Sequence, residues 1–261
     1  MKKVSIIIPA YNEEKRIGKT LKEYSRYFEK IRLKKKVDYE LLIVINNTTD
    51  KTLELVKRES KKNERILYLD LLRGGKGYAV IEGFKDSLKR NNDLIGFVDA
   101  DMATSPEEYY KLIEVLLIPN NFEGVIASRY IDGSKIYPHP TLQRKAAKLA
   151  FNFVVRSVLF LPFHDTQCGA KMFKRAAIEN VLKKLTMSNW AFDVELIYAA
   201  KKNGFKIVEM PTIWIDKEYS KINFWKAGPW MVFGVMRLRL INSPFKSLLR
   251  IYDKLVKRVP R

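Results

Sequence analysis

Leu94-Ile95-Gly96-Phe97-Val98-Asp99-Ala100-Asp101 is the stretch on which the reading of this chain turns. Five apolar residues in a row, stopped by a carboxylate, read as a strand buried on both faces. Two carboxylates then follow in the turn at the strand's end. At that spacing they can share a hard divalent cation, magnesium or manganese, which takes oxygen ligands and often joins a carboxylate to a diphosphate. A cation there would draw off the charge that builds on a departing nucleotide. By itself an Asp-x-Asp pair also fits a chance match or a helix cap. Its position at a strand end, with Pro106-Glu107 just after, favours the chemical reading.

Moving outward, residues 4–8 form another apolar, β-branched run, which ends at Pro9, and residues 39–45 a third. Residues 66–69 and 125–128 read as short strands. Between them lie helical spacings. Residues 14–36 carry Ile17, Leu21, Tyr24 and Phe28 on one face, residues 50–59 form a second helix, and Pro106–Leu117 opens with proline in its first turn. Gly74-Gly75-Lys76-Gly77 reads as a loop opening a helix to about residue 89. Its glycines permit close approach of backbone to a phosphate, with Lys76 as the contact, although the spacing is not that of a P-loop. Strands alternating with helices predict an α/β fold with a mostly parallel sheet and right-handed crossovers. Ligands in such sheets sit beyond the carboxyl ends of the strands, so residues 9–13, 46–50 and 99–101 are expected to meet at one edge.

After residue 140 the pattern changes. Residues 145–160 are apolar on a broad face, with Lys148 and Arg156 interspersed. Residues 165–173 read as a polar loop running into a short strand, 190–202 as a helix and 206–214 as a strand. Residues 222–241 combine Phe224, Trp225, Trp230, Met231, Phe233 and Met236 with Arg237 and Arg239, and from residue 221 onward Asp253 is the single acidic side chain. The two apolar-basic blocks read either as core helices or as an interfacial surface whose apolar face enters lipid while Lys and Arg meet anionic head groups. The expected organisation is a domain over 1–220 and a basic amphipathic extension over 221–261.

The 261 residues are 47% hydrophobic and 30% charged, enough for a packed core and against disorder. The net charge of +20 favours anionic partners: nucleic acid, an acidic membrane surface or phosphorylated substrates. No nucleic-acid-binding signature accompanies it and the basic residues are spread over helices, so nucleic acid is not the expected partner. Cys168 is the sole cysteine, so no intrachain disulfide forms, and it reads as a small buried side chain. His139 and His164 are too isolated for a metal site. No apolar stretch approaches the roughly 20 residues of a spanning helix, and the run 4–8 is too short for a signal peptide. The expectation is a cytoplasmic protein held peripherally at a membrane.

Taken in order, Pro9-Ala10-Tyr11-Asn12-Glu13-Glu14, Asn46-Asn47-Thr48-Thr49-Asp50, Gly75-Lys76-Gly77, Asp99-Ala100-Asp101 and Ala127-Ser128-Arg129-Tyr130 resemble the inverting glycosyltransferases of family 2, which have the Rossmann-like GT-A fold. Asp165-Thr166-Gln167-Cys168-Gly169 and Trp190-Ala191-Phe192-Asp193-Val194-Glu195-Leu196 narrow the resemblance to the dolichyl-phosphate glucosyltransferase branch, near the dolichyl-phosphate mannose synthases. The resemblance implies that Pro9, Tyr11 and Glu13 hold the nucleoside. Asn46 stands where many relatives carry an aspartate that reads the base, which leaves uridine and guanosine both open, with UDP-glucose the first choice of donor and GDP-mannose the second. Lys76 and Asp99 complete the donor contacts, and Asp99 and Asp101 would hold Mg2+ or Mn2+. Where mannose synthases often have a metal-assisting Gln, this chain has Ala103. Asp101, Arg129 and Lys171 are the implied catalytic residues, Arg129 facing the reaction centre and Lys171 meeting the acceptor phosphate as a point charge without arginine's fork.

The implied acceptor is a polyprenyl (dolichyl) phosphate, and the implied reaction a single displacement with inversion. A phosphate carrying about −1.5 to −2 charge is already a nucleophile and needs no base. A hydroxyl acceptor would need one, and Asp165 and Asp193 are the candidates. Otherwise they read as a loop anchor and a helix-surface residue.

Overall fold

The computed structural model describes residues 1–119, 121–185, 191–216 and 224–257. In chain order the elements are β1 (Lys2–Ala10), α1 (Ile17–Leu33), β2 (Val37–Asn46), α2 (Thr52–Lys62), β3 (Ile66–Leu71), α3 (Lys76–Lys89), β4 (Leu94–Val98), α4 (Pro106–Leu117) and β5 (Gly124–Ser128). Then follow β6 (Lys135–Tyr137), α5 (Leu142–Leu159), β7 (Ala170–Lys174), α6 (Arg175–Leu182), α7 (Phe192–Lys202), β8 (Ile207–Pro211), β9 (Ile213–Ile215), α8 (Phe224–Ile241) and α9 (Leu249–Lys257).

A seven-stranded sheet runs in the order β3-β2-β1-β4-β7-β5-β8. It is parallel except at β7, which runs antiparallel to both β4 and β5. The expectation of a mostly parallel α/β sheet therefore holds, and the exception matters: an antiparallel β7 starts at the edge where its neighbours end.

Alternation along the central strands sorts side chains into two cores. Ile6, Ile8, Leu41, Ile43 and Ile45 face one layer with Tyr24, Phe28, Tyr109 and Tyr110. Ile7, Leu42, Val44 and Phe97 face the other with Phe84, Phe151, Phe173 and Phe192. These strands carry apolar runs such as Ile6–Ile8 and Leu41–Ile45 because helices cover both faces. Where β4 and β7 press together the side chain must vanish: a Cβ on Gly96 would lie 2.2 Å from the Lys171 carbonyl oxygen.

The two apolar-basic blocks part company. Helix α8 sinks Met231, Val235 and Leu238 into the second core beside Phe151, Val155 and Leu159 of α5. Residues 222 and 223, the side chains of Phe224 and Trp225, and Trp190 lie outside the described residues. Among the described residues no helix is long and apolar enough to cross a membrane.

Candidate active site

The parallel strands β1, β2, β4 and β5 all end on one edge, and β7 begins there, with Ala170 paired to Val98. The expected convergence of residues 9–13, 46–50 and 99–101 is what the fold produces. The first two loops are stitched together by their own side chains. Asn12 Oδ1 accepts from Thr49 N (2.8 Å), and Asn12 N donates to Thr48 Oγ1 (3.1 Å). Asp50 accepts from Thr52 N, Thr52 Oγ1, Thr48 Oγ1 and Glu14 N, which keeps its carboxyl below the usual range although burial pushes the other way. Asn12 and Asn47 sit at φ 51 and 54, the left-handed region that asparagine tolerates.

Pro9 is buried within β1, while Tyr11 stands half exposed at the rim. Glu13 takes Arg16 with both oxygens at 2.6 Å. Asn46 is buried, donating to the Ala10 carbonyl (3.1 Å) and accepting from Gly75 N (3.2 Å). Asn46 thus ties β1, β2 and the glycine-rich loop together, a structural task that its position in the sequence did not reveal.

The turn carrying the two carboxylates is held from below by α1: Thr20 Oγ1 donates to the Ala100 carbonyl (2.7 Å) and Tyr24 OH to that of Thr104 (2.9 Å). Asp101 accepts from Ala103 N at 3.0 Å. Behind Asp99 the chain doubles back so closely that a Cβ on Gly169 would lie 1.8 Å from its carboxylate oxygen. Lys76 Nζ lies 2.7 Å from Asp99 and 3.6 Å from Asp193. Lys171 lies fully buried, its Nζ donating to Asp193 (2.5 Å) and the Cys168 carbonyl (2.6 Å). Charges therefore alternate from Lys171 through Asp193 and Lys76 to Asp99.

Two expectations change here. Asp193 is no helix-surface residue: it is 9% exposed and bridges two lysines. Burial would raise its pKa, but Lys171 and Lys76 outweigh that and hold it low. Lys171 is turned inward to Asp193 and the Cys168 carbonyl and is shut off from solvent, so its described contacts are internal. Lys76 stays charged above its ordinary range, because Asp193 and Asp99 overcome the desolvation that opposes it.

Across the edge, Arg129 follows β5 and pairs with the buried Asp165 through Nε (2.6 Å) and Nη2 (2.9 Å), its backbone N donating to the same carboxylate. Asp165 is thus the loop anchor that the sequence suggests. The guanidinium stacks on Trp214 (4.9 Å) and Tyr130 (5.6 Å). Trp214 in turn pairs through its backbone with Thr104, three residues beyond Asp101, so one residue touches Arg129 with its ring and the end of the carboxylate turn with its main chain. Arg144 reaches Asp216 at 3.2 Å. Lys148 has no ion pair among the described residues. Its burial, and then the nearby Arg129, push its pKa down to about 8, with Arg144 acting the same way and Asp216 and Asp165 opposing. Arg144, Arg16 and Asp216 escaped the sequence reading, which named Lys148 and Gly169 without giving either a role at the site. Arg144 and Lys148 stand one turn apart at the start of α5.

Cys168 is buried and pushed up to about 12 by desolvation, so it is an inert thiol. His164 caps Glu209, and among the described residues no three His, Cys, Asp or Glu side chains form a metal cluster. The Asp99–Asp101 pair nevertheless fits a hard cation. Burial and the neighbouring Asp99 charge raise the Asp101 pKa, a repulsion that a divalent ion would relieve. Mg2+ and Mn2+ commonly use one or two carboxylates and complete their shell with water and substrate phosphate.

The profile described as "Glycosyl transferase family 2" matches residues 5–182. A dolichyl-phosphate beta-glucosyltransferase of Dictyostelium discoideum is 30% identical over 258 residues, covering 95% of this chain and 76% of that protein. The Drosophila melanogaster protein of the same name is 33% identical over 241 residues, covering 88% and 72%. The human one is 30% identical over 261 residues, covering 94% and 78%. Among solved structures, glucosyl-3-phosphoglycerate synthase from Mycobacterium tuberculosis in complex with phosphoglyceric acid superposes with a TM-score of 0.62 at 17% identity, covering 92% of this chain and 79% of that one. A mannosyltransferase from Pyrobaculum calidifontis in complex with GDP-Man and Mn2+ gives 0.58 at 14%, covering 98% and 70%. Both likenesses are of fold.

Proposed function

The chain belongs to glycosyl transferase family 2 and is a glycosyltransferase, and on that footing we propose that it moves a hexosyl group, glucose by first choice, from a nucleotide sugar to the phosphate of a polyprenyl (dolichyl) lipid at a membrane face, with inversion. UDP-glucose is the donor of first choice and GDP-mannose the second. The observation that carries the acceptor is the cationic group at the β5 side. Among the described residues, Arg129, Arg144 and Lys148 face Asp165 and Asp216, and Lys148 has no ion pair. Such a group suits an anion.

In this reading Asp99 and Asp101 hold Mg2+ or Mn2+, which supplies Lewis-acid neutralisation of the leaving diphosphate. Lys76, already on Asp99, adds a second positive charge at the donor phosphates. Pro9, Tyr11 and Glu13 border the nucleoside. Arg129, at the end of β5, is fixed by Asp165 and Trp214, so its charge is preorganised to face the reacting centre. Lys171 acts at one remove, by fixing Asp193 and through it Lys76. The acceptor phosphate meets Arg144 and Lys148 in place of Lys171.

A hydroxyl acceptor would require a carboxylate base. Asp193 is clamped between two lysines with a lowered pKa, and Asp165 gives both oxygens to Arg129. Both are poorly placed to take a proton, which favours an acceptor that arrives ionised.

The test incubates the full chain with a panel of sugar nucleotides, Mg2+ or Mn2+ and a polyprenyl phosphate, followed by mass spectrometry of the lipid. A hexosyl lipid phosphate is expected, most abundant with UDP-glucose. Transfer to a hydroxyl acceptor with no lipid product would overturn the reading.

A further inference from the structure

Helix α5 has two unlike sides. At about 100° per residue, Phe151, Val155 and Leu159 fall on one side and are buried in the second core. Arg144 and Lys148 lie toward that same side, at the cationic group by Asp165 and Asp216. On the opposite side Leu142 is 85% exposed, Leu149 45% and Phe153 71%, and Phe160 at the helix's end is 71% exposed. An outward row of large apolar side chains on one 18-residue helix is uncommon on a surface of ordinary solvation.

Its setting says what it fits. Lys145 and Arg156 flank the row and are exposed, Arg239 of α8 lies over the Phe160 ring at 5.1 Å, and α5 itself contains no acidic residue. An apolar stripe with Lys145, Arg156 and Arg239 beside it, on a helix without a carboxylate, matches an acidic lipid surface in charge and polarity. A protein partner of net positive charge like this chain's own +20 would be repelled, which argues against a second copy. In the other apolar-basic block α8 turns Met231, Val235 and Leu238 inward.

We propose that the outer stripe of α5, formed by Leu142, Leu149, Phe153 and Phe160 with Lys145 and Arg156, lies in the plane of an anionic bilayer and holds the chain there. This deepens the proposed reaction and rests on it for one point. Arg144 and Lys148, one side of the helix away, then sit at the head-group level, where a lipid-borne phosphate is presented.

The experiment is flotation of the full chain with vesicles of phosphatidylcholine alone or with about one third phosphatidylglycerol, neither containing polyprenyl phosphate. Co-flotation with the anionic vesicles is expected, weakening as salt rises. Leu149→Ser with Phe153→Ser removes two exposed apolar groups and should bind about tenfold more weakly or worse. Arg156→Gln should weaken binding less. Equal binding by the double variant, or equal binding to the two vesicle types, overturns the proposal. So does a dimer in solution that the double variant dissolves, which would assign the stripe to a second copy. Transfer to a short-chain, water-soluble polyprenyl phosphate separates the two readings. It should be unchanged in the double variant, whereas its absence in the unmodified chain would strike the proposed reaction and leave the flotation result standing.

Discussion

On the β4 side of the sheet edge, Arg16, Lys76 and Lys171 face Glu13, Asp99, Asp101 and Asp193, so carboxylates outnumber cations by one. On the β5 side, among the described residues, Arg129, Arg144 and Lys148 face Asp165 and Asp216, and cations lead by one. In each group the member without an ion pair among the described residues is shifted toward its neutral form, first by burial and then by a neighbouring like charge. Asp101 is raised toward its neutral form by burial and Asp99, while Lys148 is lowered toward its neutral form by burial and Arg129. One side is short of a positive charge and the other of a negative one. In the proposed reaction a metal ion with a nucleotide diphosphate would answer the first and a phosphate the second.

The largest effect should come from breaking the buried pair that props the acidic side. Lys171→Met leaves Asp193 with one cation fewer in a site closed to water and should destabilise the fold by about 3–5 kcal/mol in denaturant unfolding. Lys171→Met combined with Asp193→Leu should cost less than the sum of the single changes. Additive effects would show that the pair is not coupled. Next in size is Asp101→Asn, expected to lower kcat by about 10²–10³ in single-turnover assays and to weaken Mn2+ binding followed by electron paramagnetic resonance. Gly169→Ala changes no charge, yet its methyl would displace the Asp99 carboxylate, and the loss should be of the same order. Full activity in Asp101→Asn would remove the cation from the scheme.

Much of this was legible before any coordinates. The strand ends were readable because strands covered on both faces carry apolar runs, and the polar residues after those runs fall at the sheet edge where Asp99 and Asp101 lie. Leu94–Val98 and Pro106–Leu117 coincide with the observed elements for this reason. Strand β7 was visible as a strand, but its antiparallel insertion between β4 and β5 depends on pairing across distant sequence, to which periodicity is blind. Its consequences were hidden with it: Lys171 turned inward, Asp193 buried, and Gly169 required by the approach of Asp99. Arg144 and Lys148 were obscured by abundance. In a chain with 49 lysines and arginines, two more on a helix carry no signal until the fold shows which carboxylates face them.

The basic side can be tested more gently. Arg144→Gln should raise the acceptor KM by about ten- to a hundredfold, the worth of one charge-assisted hydrogen bond, and leave the donor KM unchanged. Asp216→Asn, which removes an opposing carboxylate, should lower the acceptor KM. An equal rise in donor KM with Arg144→Gln would mean that the two sides are not separate sites.

The smallest effect, and the one that isolates a single proton, is pH. Lys148 sits among Arg129, Arg144, Asp165 and Asp216, and its pKa is lowered to about 8 in the free protein. Below that value it is charged and the basic side keeps its surplus. Above it the proton is lost and only the paired arginines remain. The acceptor phosphate, with its second pKa near 6, is already a dianion through this range, so it contributes no titration of its own. The acceptor kcat/KM, which reports the free enzyme, should therefore hold steady to about pH 8 and then fall, by no more than about tenfold per unit. Lys148→Arg keeps its charge throughout and should flatten the profile, whereas Lys148→Gln should be uniformly low and equally flat. If Lys148→Arg falls with pH as the unmodified chain does, the titrating group lies elsewhere, and the surplus charge of the β5 side would not be what recognises the acceptor.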